Sequence, residues 1–259
     1  MVVQIKKAVK AGNSSAVILP RSWLNKEVRI ELIKKTPEII ICDVINIINK
    51  YLDLKDVIGI YLAGSYAMGE EDENSDIDIL IVTNNTDKEM IKEGIYNILL
   101  MSSELLNQKL EKDLFPIGQM IKEALPLLNS DYLNSIKITV TKRNIDWYLK
   151  TTEEKIKMIK KIFEKIETNR NKYIDNKVIY TLILRIRTLY IIKKLIKNEN
   201  YSKKDFIKLI ERVSLGTNAY EKYLIVKNDL EDKDGVSLEE ATKLYEFLKN
   251  QLEEINRLI

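Results

Sequence analysis

The chain of 259 residues contains no histidine, one cysteine, four prolines and eight glycines. Each scarcity narrows the chemistry. Without histidine, Ser-His-Asp and Cys-His catalysis are excluded, and so is the usual zinc ligand set. Acid-base work falls to carboxylates, lysine, tyrosine or metal-bound water. The single cysteine, Cys42, excludes an intramolecular disulfide and points to a reducing cytoplasm. It lies in Ile39-Ile40-Ile41-Cys42, where a small buried hydrophobe is expected rather than a nucleophile. No apolar run approaches the roughly 20 residues of a membrane span. The opening MVVQIKKAVKAG lacks the apolar centre of a signal peptide. A cytoplasmic protein with no membrane partner is therefore expected.

Charged residues make up 31% and hydrophobic residues 45%, the balance of a globular chain. The net charge of +3 is uneven: residues 1–38 carry eight Lys and Arg against three Glu, and residues 228–257 carry nine acids against four bases. A basic head on a near-neutral body suggests a separate anionic partner for the head.

The densest signal runs from Val57 to Val82. An apolar stretch, Val57-Ile58-Gly59-Ile60-Tyr61-Leu62-Ala63, ends in Gly64-Ser65. After a polar spacer comes Ser75-Asp76-Ile77-Asp78-Ile79-Leu80-Ile81-Val82. Side chains alternate across a strand, so Asp76 and Asp78 share one face while Ile77 and Ile79 point to a core. Two neighbouring carboxylates repel unless a cation sits between them, and Mg²⁺ prefers carboxylate and phosphate oxygens. A glycine at the strand end allows close backbone approach to a phosphate, and a following helix offers free N–H groups and a positive dipole end. The Ser65 hydroxyl can donate to a phosphate oxygen. Taken singly, Gly-Ser is better read as a helix cap and Asp-x-Asp as an edge-strand cap; the ordered combination points to a site.

LAGSYAMGEEDENSDIDILIV resembles the signature of the DNA polymerase β-like nucleotidyltransferase superfamily: hydrophobic-Gly-Ser, a spacer, then Asp-hydrophobic-Asp-hydrophobic. The resemblance implies Mg²⁺-dependent transfer of a nucleoside monophosphate from an NTP, ATP foremost, to an acceptor. It assigns Gly64 and Ser65 to the triphosphate and Asp76 and Asp78 to metal. It leaves the acceptor unidentified. The superfamily commonly places a third acid on the next strand, expected here over Tyr96–Met101, where Asn97 stands instead. Glu104 or Glu123 would then have to substitute from a neighbouring helix. Glu123, just before a helix break at Pro126, is preferred, because Glu104 opens a helix and capping accounts for it.

The head has its own pattern. Val2–Val9 alternates loosely, Ala11-Gly12-Asn13-Ser14 reads as a turn, and Ser15–Leu19 reads as a strand stopped by Pro20. Arg21–Asn25 reads as one helical turn and Val28–Leu32 as a further strand. So few strands cannot close a core alone, which predicts dimerisation or docking. KKAVKAGNSSAVILPRSWLNKEVRIEL resembles the swapped-hairpin AbrB-like DNA-binding domains, antitoxins among them. That resemblance implies interlacing of two chains into a homodimer and duplex DNA on the basic face. Lys7, Lys10 and Arg21 are the expected phosphate contacts. An edge hairpin packed on the catalytic domain remains the alternative.

Elsewhere, residues 38–55 space apolar side chains as a helix, 83–94 reads as a polar connection, and 102–133 reads as helical with interruptions at Pro116 and Pro126. From Asp146 onward the chain reads as helix, with Val178–Ile196 apolar almost all round. Ser202 and Ser237 are expected N-caps, the latter in a capping box with Glu240. Arg185 and Arg187, inside the apolar helix, need an anion or a carboxylate of the helical tail. Tyr220, Tyr223 and Lys227 recur at helical spacing, either as core packing or as a base-binding wall. This region is similar to the helical tails of archaeal-type members of the superfamily.

The expected fold is α+β: a β swapped-hairpin head over 1–36, a nucleotidyltransferase α/β core over 37–142 and an all-helical domain over 143–259. Two functions stay open. One is a Mg²⁺-dependent nucleotidyltransferase with a DNA-binding head. The other is a DNA-binding regulator or antitoxin whose nucleotidyltransferase fold has lost activity. A toxin–antitoxin setting suits both.

Overall fold

The computed structural model describes residues 4, 6, 8–31, 35–72, 75–168, 173–230 and 234–259, the side chains of Glu89 and Glu167 excepted. The chain divides into two compact units, Met1–Thr36 and Pro37–Ile259. The first contains a hairpin, β1 (Val9–Ala11) and β2 (Ser14–Ala16), turned at Gly12 with φ 62°. A 3₁₀ turn follows at Arg21–Trp23. The strand expected over Val28–Leu32 does not form in its described part, 28–31. Ladder hydrogen bonds need a partner strand, and β1 and β2 pair with each other. Half of the Val2–Val9 stretch, residues 2, 3, 5 and 7, lies outside the described residues.

The second unit opens with α1 (Pro37–Ile48), proline taking the first helical position, where its missing N–H costs nothing. The helix ends well short of the expected residue 55. It buries Ile40, Val44, Ile47 and Ile48, one stripe at spacings of four, three and one. Cys42 falls off that stripe and is exposed, which corrects the expectation of burial.

Next come β3 (Val57–Ala63), the short helix α2 (Gly64–Met68), β4 (Ile77–Thr83), β5 (Lys88–Glu93) and β6 (Tyr96–Ser102). Then follow α3 (Ser103–Lys112), α4 (Ile117–Glu123), β7 (Leu125–Leu128) and α5 (Ser130–Ser135). The sheet order is β5-β6-β4-β3-β7. Among the described residues, β4 and β6 are the parallel pair of this sheet, and its other pairs are antiparallel. Two of the strands run against the sequence reading. β5 occupies the supposed polar connection and turns back into β6 through Gly94-Ile95, with Gly94 at φ 62°. β7 contains Pro126, tolerated because β7 is an edge strand.

Alternation divides the core in two. Ile77, Ile79 and Ile81 pack with α1 on one face of the sheet. Leu80, Val82, Tyr61 and Met101 pack on the other face, against the helices. Asp78 shares that helix-side parity, so the carboxylate pair faces the helical half.

The helical half comprises α6 (Lys142–Thr168), a short β8 (Tyr173–Ile174), α7 (Asn176–Ile196), α8 (Lys203–Ser214), α9 (Asn218–Lys227), β9 (Val236–Ser237) and α10 (Leu238–Leu258). α7 is central, with eight buried residues from Ile179 to Leu195. Ser202 caps α8 and Ser237 forms the capping box with Glu240, as their sequence contexts predict. Among the described residues, no helix is long and apolar enough to cross a membrane.

Candidate active site

Gly64 and Asp78 meet at the end of β3. Ala63 and Asp78 are paired across the β3–β4 ladder, and a Cβ placed on Gly64 would stand 2.4 Å from Asp78 Oδ2. Gly64 also has φ 66°, a conformation natural to glycine and strained for other residues. Glycine is thus required here twice, by space and by backbone. Ser65 is half-buried beside it. The helix expected after Gly-Ser exists but spans five residues, so its dipole is small and its free N–H groups are the useful feature.

Asp76 is exposed immediately before β4, and Asp78 is half-buried within it. Parallel pairing sets Asn97 of β6 beside Asp78. The Asn97 Nδ2 donates to Asp76 Oδ2 at 3.2 Å and to Asp78 Oδ1 at 3.3 Å. One amide therefore bridges both carboxylates. Burial pushes the Asp78 carboxyl up, Asn97 pulls it down, and the neighbouring Asp76 charge pushes it up again. The set suits a hard divalent cation: two carboxylates on one side, and an amide whose oxygen, when turned over, would face the cation they hold. Among the described residues no cluster of three acids, cysteines or histidines completes a metal site.

Glu123 ends α4, two residues before Leu125, which pairs with Leu62 of β3. α4 packs against α2 and β3. The Glu123 carboxyl is pushed up from 4.5 to about 7, chiefly by burial and further by Glu70, against the opposing pull of Gln119 and Arg187. Gln119 Nε2 donates to Glu123 Oε1 at 2.9 Å. Glu104, by contrast, is exposed in the first turn of α3 and accepts from Gln108 Nε2 at 3.1 Å. That is a surface acid's environment.

From the helical half, Arg187 enters the same neighbourhood. Its guanidinium lies 5.4 Å from the Tyr201 ring centroid, and its Nε is buried with no hydrogen-bond acceptor. Burial pulls it down, yet Tyr201 and Tyr223 outweigh that and hold it up. Neither Arg187 nor Arg185 forms an ion pair with an acid of the helical tail among the described residues; Arg185 Nη1 donates to Thr151 Oγ1 at 3.0 Å. Tyr223 is buried and stacks on Tyr180 with centroids 5.3 Å apart, a packing role. The Lys227 ammonium is pulled down by burial and by the nearby Arg187 and Lys203 charges.

Sequence reasoning did not foresee Asn97 as a bridge, or Glu70 and Tyr201 as neighbours of this cluster. The first was legible from strand alignment, since Asn97 and Asp78 are each the second residue of their strands. The others carry no motif.

In the head, Lys10 is exposed on β1 and Arg21 is exposed in the 3₁₀ turn. Lys7 lies outside the described residues.

Comparison with known proteins gives the family. The family model described as "Nucleotidyltransferase domain" matches residues 41–213, more than half of the chain, and the chain belongs to that family. No curated protein matches. Among solved structures, the chain is similar to a nucleotidyltransferase-like protein from Exiguobacterium sibiricum, with 13% identity over 82% of this chain and 73% of that one at TM-score 0.35. It is also similar to the spectinomycin adenyltransferase from Enterococcus faecialis solved with ATP and spectinomycin, with 15% identity over 82% of this chain and 98% of that one at TM-score 0.40.

Proposed function

We propose that this nucleotidyltransferase moves a nucleoside monophosphate from an NTP, ATP foremost, to an acceptor. A nucleophilic atom of the acceptor forms a bond to the α-phosphorus. The bond to the bridging oxygen breaks, and pyrophosphate leaves with that oxygen. The observation that carries the reading is the contact between Gly64 and the Asp78 carboxylate, which sets a phosphate-accommodating turn directly against a carboxylate pair. Gly64 gives the triphosphate room, and Ser65 donates its hydroxyl to it. Asp76 and Asp78 would hold Mg²⁺, which supplies charge neutralisation at the phosphates.

Asn97 contributes no charge, so the acceptor's proton has to be taken elsewhere. Glu123 is the candidate: a carboxyl near 7 at neutral pH both accepts and returns a proton. The packing of its helix α4 against α2, which begins at Gly64, supports this role.

For the head, duplex DNA is the proposed partner, with the exposed Lys10 and Arg21 contacting phosphates and Lys7 completing the set. Homodimerisation through the head is supported by its exposed Ile18 at 70%, Leu24 at 72% and Ile30 at 66%. The observation favouring a regulator with a degenerate site is Asn97, an amide where a third acid is expected.

Incubation with each α-labelled NTP, Mg²⁺ and a cell lysate separates the two. Label appearing on protein, RNA or a small molecule, and lost in Asp78→Asn, supports transfer. No label with any NTP, together with retained DNA binding, supports the regulator.

A further inference from the structure

The segment between Ser65 and Asp76 is anchored at two points to the helical half. α2 ends at Gly69, where φ is 66° and the chain reverses. The Glu70 N–H then donates to the Ser65 carbonyl at 2.9 Å. The Glu70 side chain turns the other way. Its Oε1 accepts from Ser202 Oγ at 3.2 Å, and its Oε2 accepts from the Lys203 N–H at 3.0 Å. Lys203 is the first residue of α8, so its N–H has no acceptor within the helix. Ser202 Oγ also accepts from the Asp205 N–H at 3.2 Å. The Glu70 carboxylate thus completes the cap of a 12-residue helix, and its charge matches the positive end.

Two residues further on, Asp72 Oδ2 stands 3.8 Å from Lys203 Nζ. Ser75 Oγ donates to Asp72 Oδ1 at 3.0 Å and accepts from the Asp72 N–H at 2.8 Å. Ser75 directly precedes Asp76. The first turn of α8 therefore grips the segment on its Ser65 side through Glu70 and on its Asp76 side through Asp72.

We propose that Glu70 is a positioning residue for the nucleotide site, fixing the Gly64–Ser65 turn to the N-terminus of α8 so that the helical half governs the turn's placement. The inference rests on the reading that this turn takes the triphosphate. Glu70 acts through Ser65 and does not touch the reacting atoms. Only a residue with two acceptor oxygens and this reach serves both Ser202 and Lys203 while its own N–H stays on Ser65. Glutamine keeps the length and one oxygen, but sets an NH₂ against a donor and removes the charge.

The test compares the full chain with Glu70→Ala, Glu70→Gln, Ser202→Ala and Ser202→Thr by two measurements. The first is amide hydrogen exchange without ligand. The second is the affinity for ATP with Mg²⁺ by calorimetry. Glu70→Ala and Ser202→Ala should each speed exchange at residues 65–70 by about tenfold while β3 and β4 keep their protection. Ser202→Thr should restore slow exchange, and Glu70→Gln should fall between. ATP affinity should drop by about fivefold or more in both alanine variants. Unchanged exchange at 65–70 in Ser202→Ala overturns the proposal. So does acceleration spread evenly through β3 and β4, which marks a merely structural contact. A parent chain that binds no ATP defeats the triphosphate reading instead, and the exchange data still decide whether the anchor exists.

Discussion

Glu123 offers the most quantitative prediction. Burial holds its carboxyl near 7 instead of 4.5. Folding therefore favours the neutral form. The stabilisation this gives is fully present below about pH 4.5 and is lost as pH rises toward 7, above which the fold carries a half-buried charge. At roughly 1.4 kcal/mol per pH unit, the ceiling is about 3 kcal/mol, and the solvent-open part of the side chain reduces it to about 1–2 kcal/mol. Arg187 already attracts the charged form, yet the net shift is upward, so desolvation wins. Glu123→Gln is neutral at every pH and can still bond Gln119. Its stability relative to the parent should match near pH 4 and exceed the parent's by about 1–2 kcal/mol at pH 8. Urea unfolding of both proteins at the two pH values measures this. A pH-independent difference, or a variant weaker than the parent at pH 8, refutes desolvation as the dominant cause.

Gly64→Ala should cost about 1–3 kcal/mol, because the new Cβ meets Asp78 Oδ2 at 2.4 Å and must hold φ 66°; thermal denaturation reads the loss, and ATP binding should vanish with it. Lys10→Ala with Arg21→Ala should flatten the salt dependence of duplex DNA binding by about two counterions; an unchanged slope in a filter or anisotropy titration removes these residues from the DNA surface. Light scattering should give a dimer mass for the full chain and a monomer mass for a chain starting at Glu38. A full-length monomer at micromolar concentration counters dimerisation through the head.

The sequence shows most plainly those features that local physics enforces. The alternation through Ile77, Ile79 and Ile81 marks a strand with one face in a core, and the Gly-Ser and Asp-x-Asp pairs are legible as motifs that the fold brings side by side. The central helix α7 was equally open to view, since its apolar residues leave no solvent face. β5 and β7 were hidden. Lys88–Glu93 is charged because an edge strand leaves one side to water, and Pro126 reads as a breaker unless the edge is known. Cys42 was misread because its apolar neighbours obscured the helical phase of α1. The bridge from Asn97 to Asp76 and Asp78 depends on parallel register. The link from Glu70 to Ser202 spans 132 residues and has no local pattern at all.

The most direct test of the nucleotide site is calorimetric titration of ATP with Mg²⁺ into the parent and into Asp76→Asn/Asp78→Asn. Both proteins should keep the same fold by circular dichroism. The predicted result is Mg²⁺-dependent binding in the parent and none in the double variant. Equal affinity in the two proteins contradicts the assignment of Asp76 and Asp78 to a metal-bound nucleotide.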